Sequence, residues 1–231
     1  MKILPGEQGS QAWHEARLGL PTASQFHRIL SPAKLEPSTQ AFEYLCQLLF
    51  ERFTGQSATA ETTQFMERGS VLEAEGVAWY ELERNVDTER VGLCVSDDGL
   101  VGCSPDRLVG SEGGLELKCP SGPTHIGYLL EGISQRYRLQ VQGALWITGR
   151  YWWDLASYSP VPELKSTVVR IIPEAKVFAA LNDEIPAFCQ RLDRATEKLG
   201  GRPKIEIAEL LERSIEHARA ERGLPQERLP L

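Results

Sequence analysis

Cys103-Ser104-Pro105-Asp106-Arg107-Leu108-Val109, followed by Gly114-Leu115-Glu116-Leu117-Lys118-Cys119-Pro120, is the stretch on which this 231-residue chain turns. Arg107 to Val109 and Gly114 to Cys119 are short β-like runs around a Glu-Gly-Gly turn. Side chains alternate faces along a strand, so Leu115 and Leu117 point one way and Glu116 and Lys118 the other. The leucines are expected on the core, and the carboxylate and ammonium on an open face beside Asp106. Two carboxylates from adjoining strands can hold a hard divalent cation, and Mg²⁺ takes one or two of them while keeping waters and substrate phosphate. A lysine on the same face would lower the pKa of a water there and orient it for attack on phosphorus. Glu-x-Lys alone is what any half-exposed strand shows. The discriminating feature is Pro105-Asp106 ahead of it, with nine residues between Asp106 and Glu116.

Outward from this hairpin the pattern changes to helical. Before it, Ser10 caps Gln11 to Arg17, Thr22 caps Ala23 to Leu30, and Ser31 to Pro37 reads as a loop. Phe42, Leu45, Leu48, Leu49 and Phe53 recur at helical spacing up to Gly55. A further helix covers Thr62 to Glu83, with Gly69 and Gly76 as candidate interruptions. Arg90 to Val95 and Leu100 to Ser104 are strand-like. After the hairpin come a helix at Gln135 to Thr148, strands at Tyr151 to Tyr158 and Ser166 to Ile172, and a long helix from Glu174 to Leu199. Past Gly200-Gly201 a last amphipathic helix, Ile205 to Arg222, carries Ile207, Leu210, Leu211 and Ile215 on one stripe. Helices packed on a small sheet make an α/β or α+β domain over residues 1–200, with 201–231 as a helical tail that can contact a subunit or a partner.

Composition fits that reading: 42% hydrophobic and 25% charged residues are globular values. No run approaches the ~18 apolar residues of a membrane span, and the N-terminus turns polar too soon for a signal peptide. Five scattered cysteines with no C-x-x-C pair argue against structural zinc, an iron–sulfur cluster or a disulfide framework, and place the chain in a reducing cytoplasm with its thiols buried or half-buried. The net charge of −7 is not that of a general polyanion binder. It is uneven: residues 61–90 hold eight acidic and three basic side chains, either a solvated helix face or part of a cation site.

Taken with other blocks, the stretch resembles the Pro-Asp…Glu-x-Lys nuclease superfamily, and within it the lambda-type phage exonucleases, the YqaJ-like viral recombinase family. The blocks are Trp13-His14, Arg17-Leu18-Gly19, Thr22-Ala23-Ser24, Arg68-Gly69…Glu73, the two stretches above, and Gln140-Val141-Gln142 ahead of Trp146. The resemblance implies a central mixed β-sheet flanked by helices, a restriction-endonuclease-like core. It implies that Asp106, Glu116 and the Leu117 carbonyl ligate two Mg²⁺ ions, with Mn²⁺ as a substitute. Lys118 would activate the water, Gln140 position it, and Glu73 complete the site from a helix. Arg17, Ser24 and Ser104 would bind the 5′-phosphate of a DNA end, and Met66 is a candidate wedge against the terminal base pair, ordinary packing being its other reading. Ser96, flanked by Asp97 and Asp98, stands where relatives place another carboxylate, so Asp97 is left out of the site. His14 and His27 read as structural. The implied activity is 5′→3′ degradation of one strand of linear duplex DNA to 5′-mononucleotides, leaving 3′ overhangs for recombination. A homotrimeric ring in the bacterial cytoplasm and a phage single-strand annealing protein complete the picture. The rivals are an endonuclease or cluster-bearing exonuclease of the same fold, and a non-catalytic DNA-end binder.

Overall fold

The computed structural model describes residues 1–58 and 63–201, without the side chains of residues 63–71. Strand β1 (Lys2–Leu4) leads through a Ser10-capped helix α1 (Gln11–Arg17) to a 3₁₀ turn at Ala23–Arg28. Helix α2 (Ala41–Thr54) ends at Gly55, whose φ of 65° closes it in a conformation that favours glycine. Helix α3 (Thr63–Arg84) and strands β2 (Thr88–Glu89), β3 (Leu93–Val95), β4 (Gly102–Cys103), β5 (Arg107–Val109) and β6 (Gly113–Lys118) follow. Helices α4 (Gly122–Glu131) and α5 (Gln135–Thr148) lead to β7 (Trp152–Ser157), β8 (Thr167–Ile171) and α6 (Ala175–Lys198).

The strands form two sheets, β1-β3-β4 and β2-β5-β6-β7-β8. All pairings are antiparallel except β6 with β7, where Gly113 to Lys118 run in register beside Trp152 to Ser157. A parallel pair needs a crossover, and α4 with α5 supplies it. The expected mixed sheet flanked by helices is thus present. The apolar stripe of α6 (Val177, Leu181, Ile185, Phe188, Leu192) packs into the main core with Phe26, Tyr44, Leu145 and Trp153. A smaller core on the other face joins Leu115 and Leu117 to Val77 and Tyr80 of α3.

Several boundaries differ from the sequence expectations, each for a physical reason. The turn at residues 23–28 is 3₁₀ rather than α, and β3 and β4 are shorter than their apolar runs. Strands β1 and β2 are too short, at three and two residues, to carry a periodic signal, and helix α4, absent from the sequence expectations, contains two glycines and leaves Ile126, Leu129 and Leu130 exposed. Helix α3 runs through Gly69 and Gly76 without a break. A Cβ at Gly76 would stand 2.8 Å from a Leu117 methyl, so this glycine lets the helix approach β6 closely. Glu116 is only 3% exposed, so its face of β6 is closed rather than open. Cys46 is exposed, against the expectation of burial, while Cys94, Cys103 and Cys189 are buried and Cys119 is half-buried. The tail with Ile207, Leu210, Leu211 and Ile215 lies outside the described residues.

The fully buried Asp154 of β7 fastens α3 to the sheet. Its carboxylate accepts from Arg170 Nε and Nη2 at 2.8 and 2.9 Å and from Tyr80 Oη at 2.9 Å, with Arg84 at 3.8 Å. Glu73, Val77, Tyr80 and Arg84 share one face of α3 by their spacing, so this anchor also sets the height of Glu73. Arg170→Met leaves a buried carboxylate with one close donor and is expected to cost about 3 kcal/mol in a urea titration.

Candidate active site

Asp106 sits where the chain leaves β4 and enters β5. Strand β5 pairs with β6 only as far as Arg107 opposite Leu115, so the backbone edge of Leu117 has no strand partner on that side. Asp106 takes the vacant place: its Oδ2 accepts the Leu117 N–H at 2.6 Å. On the opposite edge the Lys118 carbonyl accepts from Tyr158 N–H at 2.8 Å. Backbone carbonyls alternate sides along a strand, so the Leu117 carbonyl points back toward Asp106.

Glu116 projects from β6 toward α5, where Gln140 Nε2 donates to its Oε1 at 2.6 Å. The same oxygen accepts a charge-assisted hydrogen bond from Lys118 Nζ, two residues along the strand. The Lys118 ammonium also lies 4.6 Å from the ring centre of Tyr137. Burial, reinforced by the charge of Glu116, pushes the Asp106 carboxyl up to about 8, against the pull of Lys118 and the Leu117 N–H. Burial would lower the Lys118 ammonium, but Glu116 and Asp106 together raise it above its ordinary value. Two carboxylates crowded together, one buried and one half-buried, are an arrangement that a cation relieves.

Glu73 stands at the rim: its carboxylate meets Arg107 Nη1 at 3.5 Å, and the same nitrogen donates to the Asp106 carbonyl at 2.5 Å. Arg107 thus ties Glu73 to the Asp106 backbone, and the charge of Glu73 adds to the rise of the Asp106 carboxyl. A cleft of about 140 Å³ opens beside Asp106 and Glu116, and Trp13, Arg17, Ser24 and Ser104 line its other side. Arg17 Nη1 donates to Ser104 Oγ at 2.8 Å, and its guanidinium lies 4.4 Å over the Trp13 ring. Burial lowers its pKa. No ion pair engages Arg17 among the described residues, although the carboxylate of Glu51 lies near enough to favour its charge. Ser24 Oγ is 3.2 Å from Thr22 Oγ1.

The remaining candidates fall elsewhere. The side chain of Met66 is outside those described. Asp97 pairs with the N-terminal ammonium at 2.8 Å, and Asp98 accepts from Ser96 Oγ at 2.6 Å, so neither enters the cleft. His14 stands edge-on to Trp13 and His27 Nδ1 meets the Ser24 carbonyl at 3.1 Å, both structural contacts. Sequence reasoning missed Gln8, whose Nε2 donates to the carbonyls of Val91 at 3.1 Å and Pro105 at 2.5 Å and so ties the N-terminal loop to the Asp106 turn. It also missed Arg107 and Tyr137. A lone glutamine in a loop has no periodicity to betray it; Arg107 directly follows Asp106, and Tyr137 lies one helical turn before Gln140 on the same face, a signal that was legible.

Comparison with known proteins adds an independent line. The family model of the YqaJ-like viral recombinase domain matches residues 12–151. Two crystal structures of the alkaline exonuclease LHK-Exo from Laribacter hongkongensis, one of them in complex with dAMP, share 31% identity with the chain. They superpose with TM-scores of 0.74 and 0.73, covering 83% and 82% of this chain and 96% of theirs. A phage-related exonuclease from Haemophilus somnus 129PT, 13% identical, shares the fold with a TM-score of 0.61 over 78% of this chain and 96% of that one. No curated protein matches in sequence.

The raised Asp106 carboxyl has a measurable consequence in a chelator. A carboxyl held above its unfolded value adds no penalty below about pH 4, then costs stability as pH rises toward 8. Asp106→Asn keeps an acceptor for Leu117 N–H and removes the charge. It is expected to melt several degrees above wild type at pH 8 and by a smaller margin at pH 5, as read by calorimetry.

Proposed function

The chain belongs to the YqaJ-like viral recombinase family of lambda-type phage exonucleases, DNA-binding nucleases of recombination, and on that footing we propose that it is a divalent-cation-dependent 5′→3′ exonuclease. It degrades one strand of linear duplex DNA from a 5′-phosphorylated end to 5′-mononucleotides and leaves a 3′ single strand. One observation carries this reading: a single cleft is lined by paired carboxylates on one wall and by an arginine outside any ion pair, with two serine hydroxyls, on the other. A scissile phosphodiester on the first wall and a terminal phosphate on the second is what such a cleft accommodates. The dAMP held by the Laribacter relative is a mononucleotide of the kind this reaction releases.

Nucleases of this fold usually use a divalent metal, and the donors fit one. Asp106, Glu116 and the Leu117 carbonyl are all oxygen donors, the set that Mg²⁺ prefers, with Mn²⁺ as a substitute. Two ions would be held there, with Glu73 completing the site across Arg107. When bound, the metal supplies Lewis-acid chemistry that neutralises the phosphodiester and lowers the pKa of a water. The protein's own groups do the rest. Lys118 Nζ, held by Glu116 and faced by the Tyr137 ring, stabilises the negative charge that develops on the attacking oxygen. Gln140 fixes the Glu116 carboxylate from α5 and presents its amide oxygen to the attacking water. Arg17, Ser24 and Ser104 hold the terminal phosphate and draw the strand forward after each cut. Met66 is carried as the wedge that parts the terminal base pair.

The same reading includes a homotrimeric ring in the host cytoplasm that hands its single strand to a phage annealing protein, with 201–231 available for subunit or partner contact. A ring reconciles a net charge of −7 with DNA binding, because only its channel need be basic. Among the described residues no helix is long and apolar enough to cross a membrane.

Glu116→Gln and Lys118→Ala are each expected to lower acid-soluble nucleotide release from linear duplex in Mg²⁺ by at least about a thousandfold, roughly 4 kcal/mol of barrier. Binding to DNA ends should persist. Turnover within tenfold of wild type would remove these groups from the chemistry. Circular duplex should resist digestion, and sedimentation should give a trimer.

End selection gives a separate test. Linear duplex with a 5′-phosphate should be degraded much faster than the same duplex with a 5′-hydroxyl. Arg17→Ala should erase most of that preference while residual cleavage still requires Mg²⁺. Equal wild-type rates on the two substrates would dispose of the phosphate pocket.

A further inference from the structure

Ser104 Oγ has two lone pairs and one proton. Two N–H donors meet the oxygen: Arg17 Nη1 at 2.8 Å and the indole Nε1 of Trp13 at 3.0 Å. With both lone pairs engaged, the hydroxyl can enter a further hydrogen bond only as a donor. No described residue accepts its proton, and Ser104 is half-buried on the wall of the cleft. The same indole lies 4.4 Å under the Arg17 guanidinium and so orients the plane of that fork as well. Trp13 is itself fixed by α1, whose Ser10 cap accepts its backbone N–H at 3.3 Å.

We propose that Trp13 is a positioning and specificity-determining residue: its indole N–H locks Ser104 as a hydrogen-bond donor aimed into the cleft, so that the site takes a terminal phosphate monoester. Resting on the phosphate-pocket reading above, this adds what keeps that pocket tuned to an anion. A serine hydroxyl left to rotate can present a lone pair, which would repel a phosphate oxygen. A doubly anchored one cannot, and its proton is already in place before the strand arrives. A terminal phosphate has an extra charged oxygen compared with an internal diester, and each correctly turned donor separates the two further.

The two contributions of the ring are separable by substitution. Trp13→Phe retains an aromatic face under Arg17 and deletes only the N–H. Degradation of linear duplex with a 5′-phosphate or a 5′-hydroxyl is measured for wild type, Trp13→Phe, Ser104→Ala and the double variant. For Trp13→Phe the ratio of kcat/KM between the two substrates is expected to fall about tenfold, the size of one hydrogen bond to a charged group, carried by KM of the phosphorylated substrate. In the Ser104→Ala background the same change should add nothing, because its target is gone. A loss shared equally by both substrates, an additive loss in the double variant, or an unchanged ratio would each overturn the proposal. A wild-type enzyme with no 5′-phosphate preference would instead overturn the pocket reading on which it rests.

Discussion

The 2.6 Å hydrogen bond from the Leu117 amide to Asp106 is the contact on which the site depends. It exists because β5 stops pairing with β6 after three residues and leaves one rung of the ladder open. An unmet N–H buried in a sheet costs free energy comparable to a lost hydrogen bond, so something must fill the place. The carboxylate that does so is drawn against Glu116, and the crowding that follows raises its proton affinity. Lys118 and Gln140 then converge on one oxygen of Glu116, while Arg107 takes the Asp106 carbonyl. Backbone geometry, rather than any single side chain, brings two carboxyl groups together beside the cleft.

Holding that geometry takes support from distant parts of the chain. Gln8 grips the Pro105 carbonyl from the N-terminal loop, and Asp154 anchors α3 through Tyr80 and Arg170 from the far side of the sheet. Gly76 lets the same helix lie close on Leu117. The polar cleft is therefore backed by one apolar core on each face of β6. Its two walls differ in kind: the carboxylate wall is built on the sheet, and the Arg17–Ser24–Ser104 wall comes from α1, the 3₁₀ turn and the end of β4.

Legibility in the sequence followed the length of the signal. The alternation of Leu115, Glu116, Leu117 and Lys118 displayed strand β6 and its apolar partners, and the rhythm of three and four residues in α6 displayed the main core helix. Asp106, Glu116 and Lys118 were nameable because their spacing forms a pattern and Gln140 only through the family resemblance, and the structure brings these four together. Glu73 was nameable through the same resemblance, yet its pairing with Arg107 was not, since a side-chain contact between a helix and a strand leaves no trace in local periodicity. Helix α4 is held by its one buried residue, the polar His125, bonded to Ser157 Oγ at 2.7 Å and the Lys165 carbonyl at 3.1 Å, while Ile126, Leu129 and Leu130 keep helical spacing but stay exposed, an anchorage that hydrophobic pattern does not display. The closed face of Glu116 was misread for a similar reason: alternation reports which residues share a face, not whether another element covers it.

The parallel pairing of β6 with β7 also governs how the molecule comes into being. On a ribosome the chain emerges N-terminus first. Asp106, Glu116 and Lys118 leave the tunnel well before Gln140, and before Trp152 to Ser157 can lie alongside β6. Until that crossover closes, β6 has only the short β5 beside it, and a two-stranded hairpin is marginal in water. The nascent polypeptide thus carries its carboxylates and lysine unaligned until Trp152 to Ser157 have emerged, and an activity directed at nucleic acid can arise only after that point.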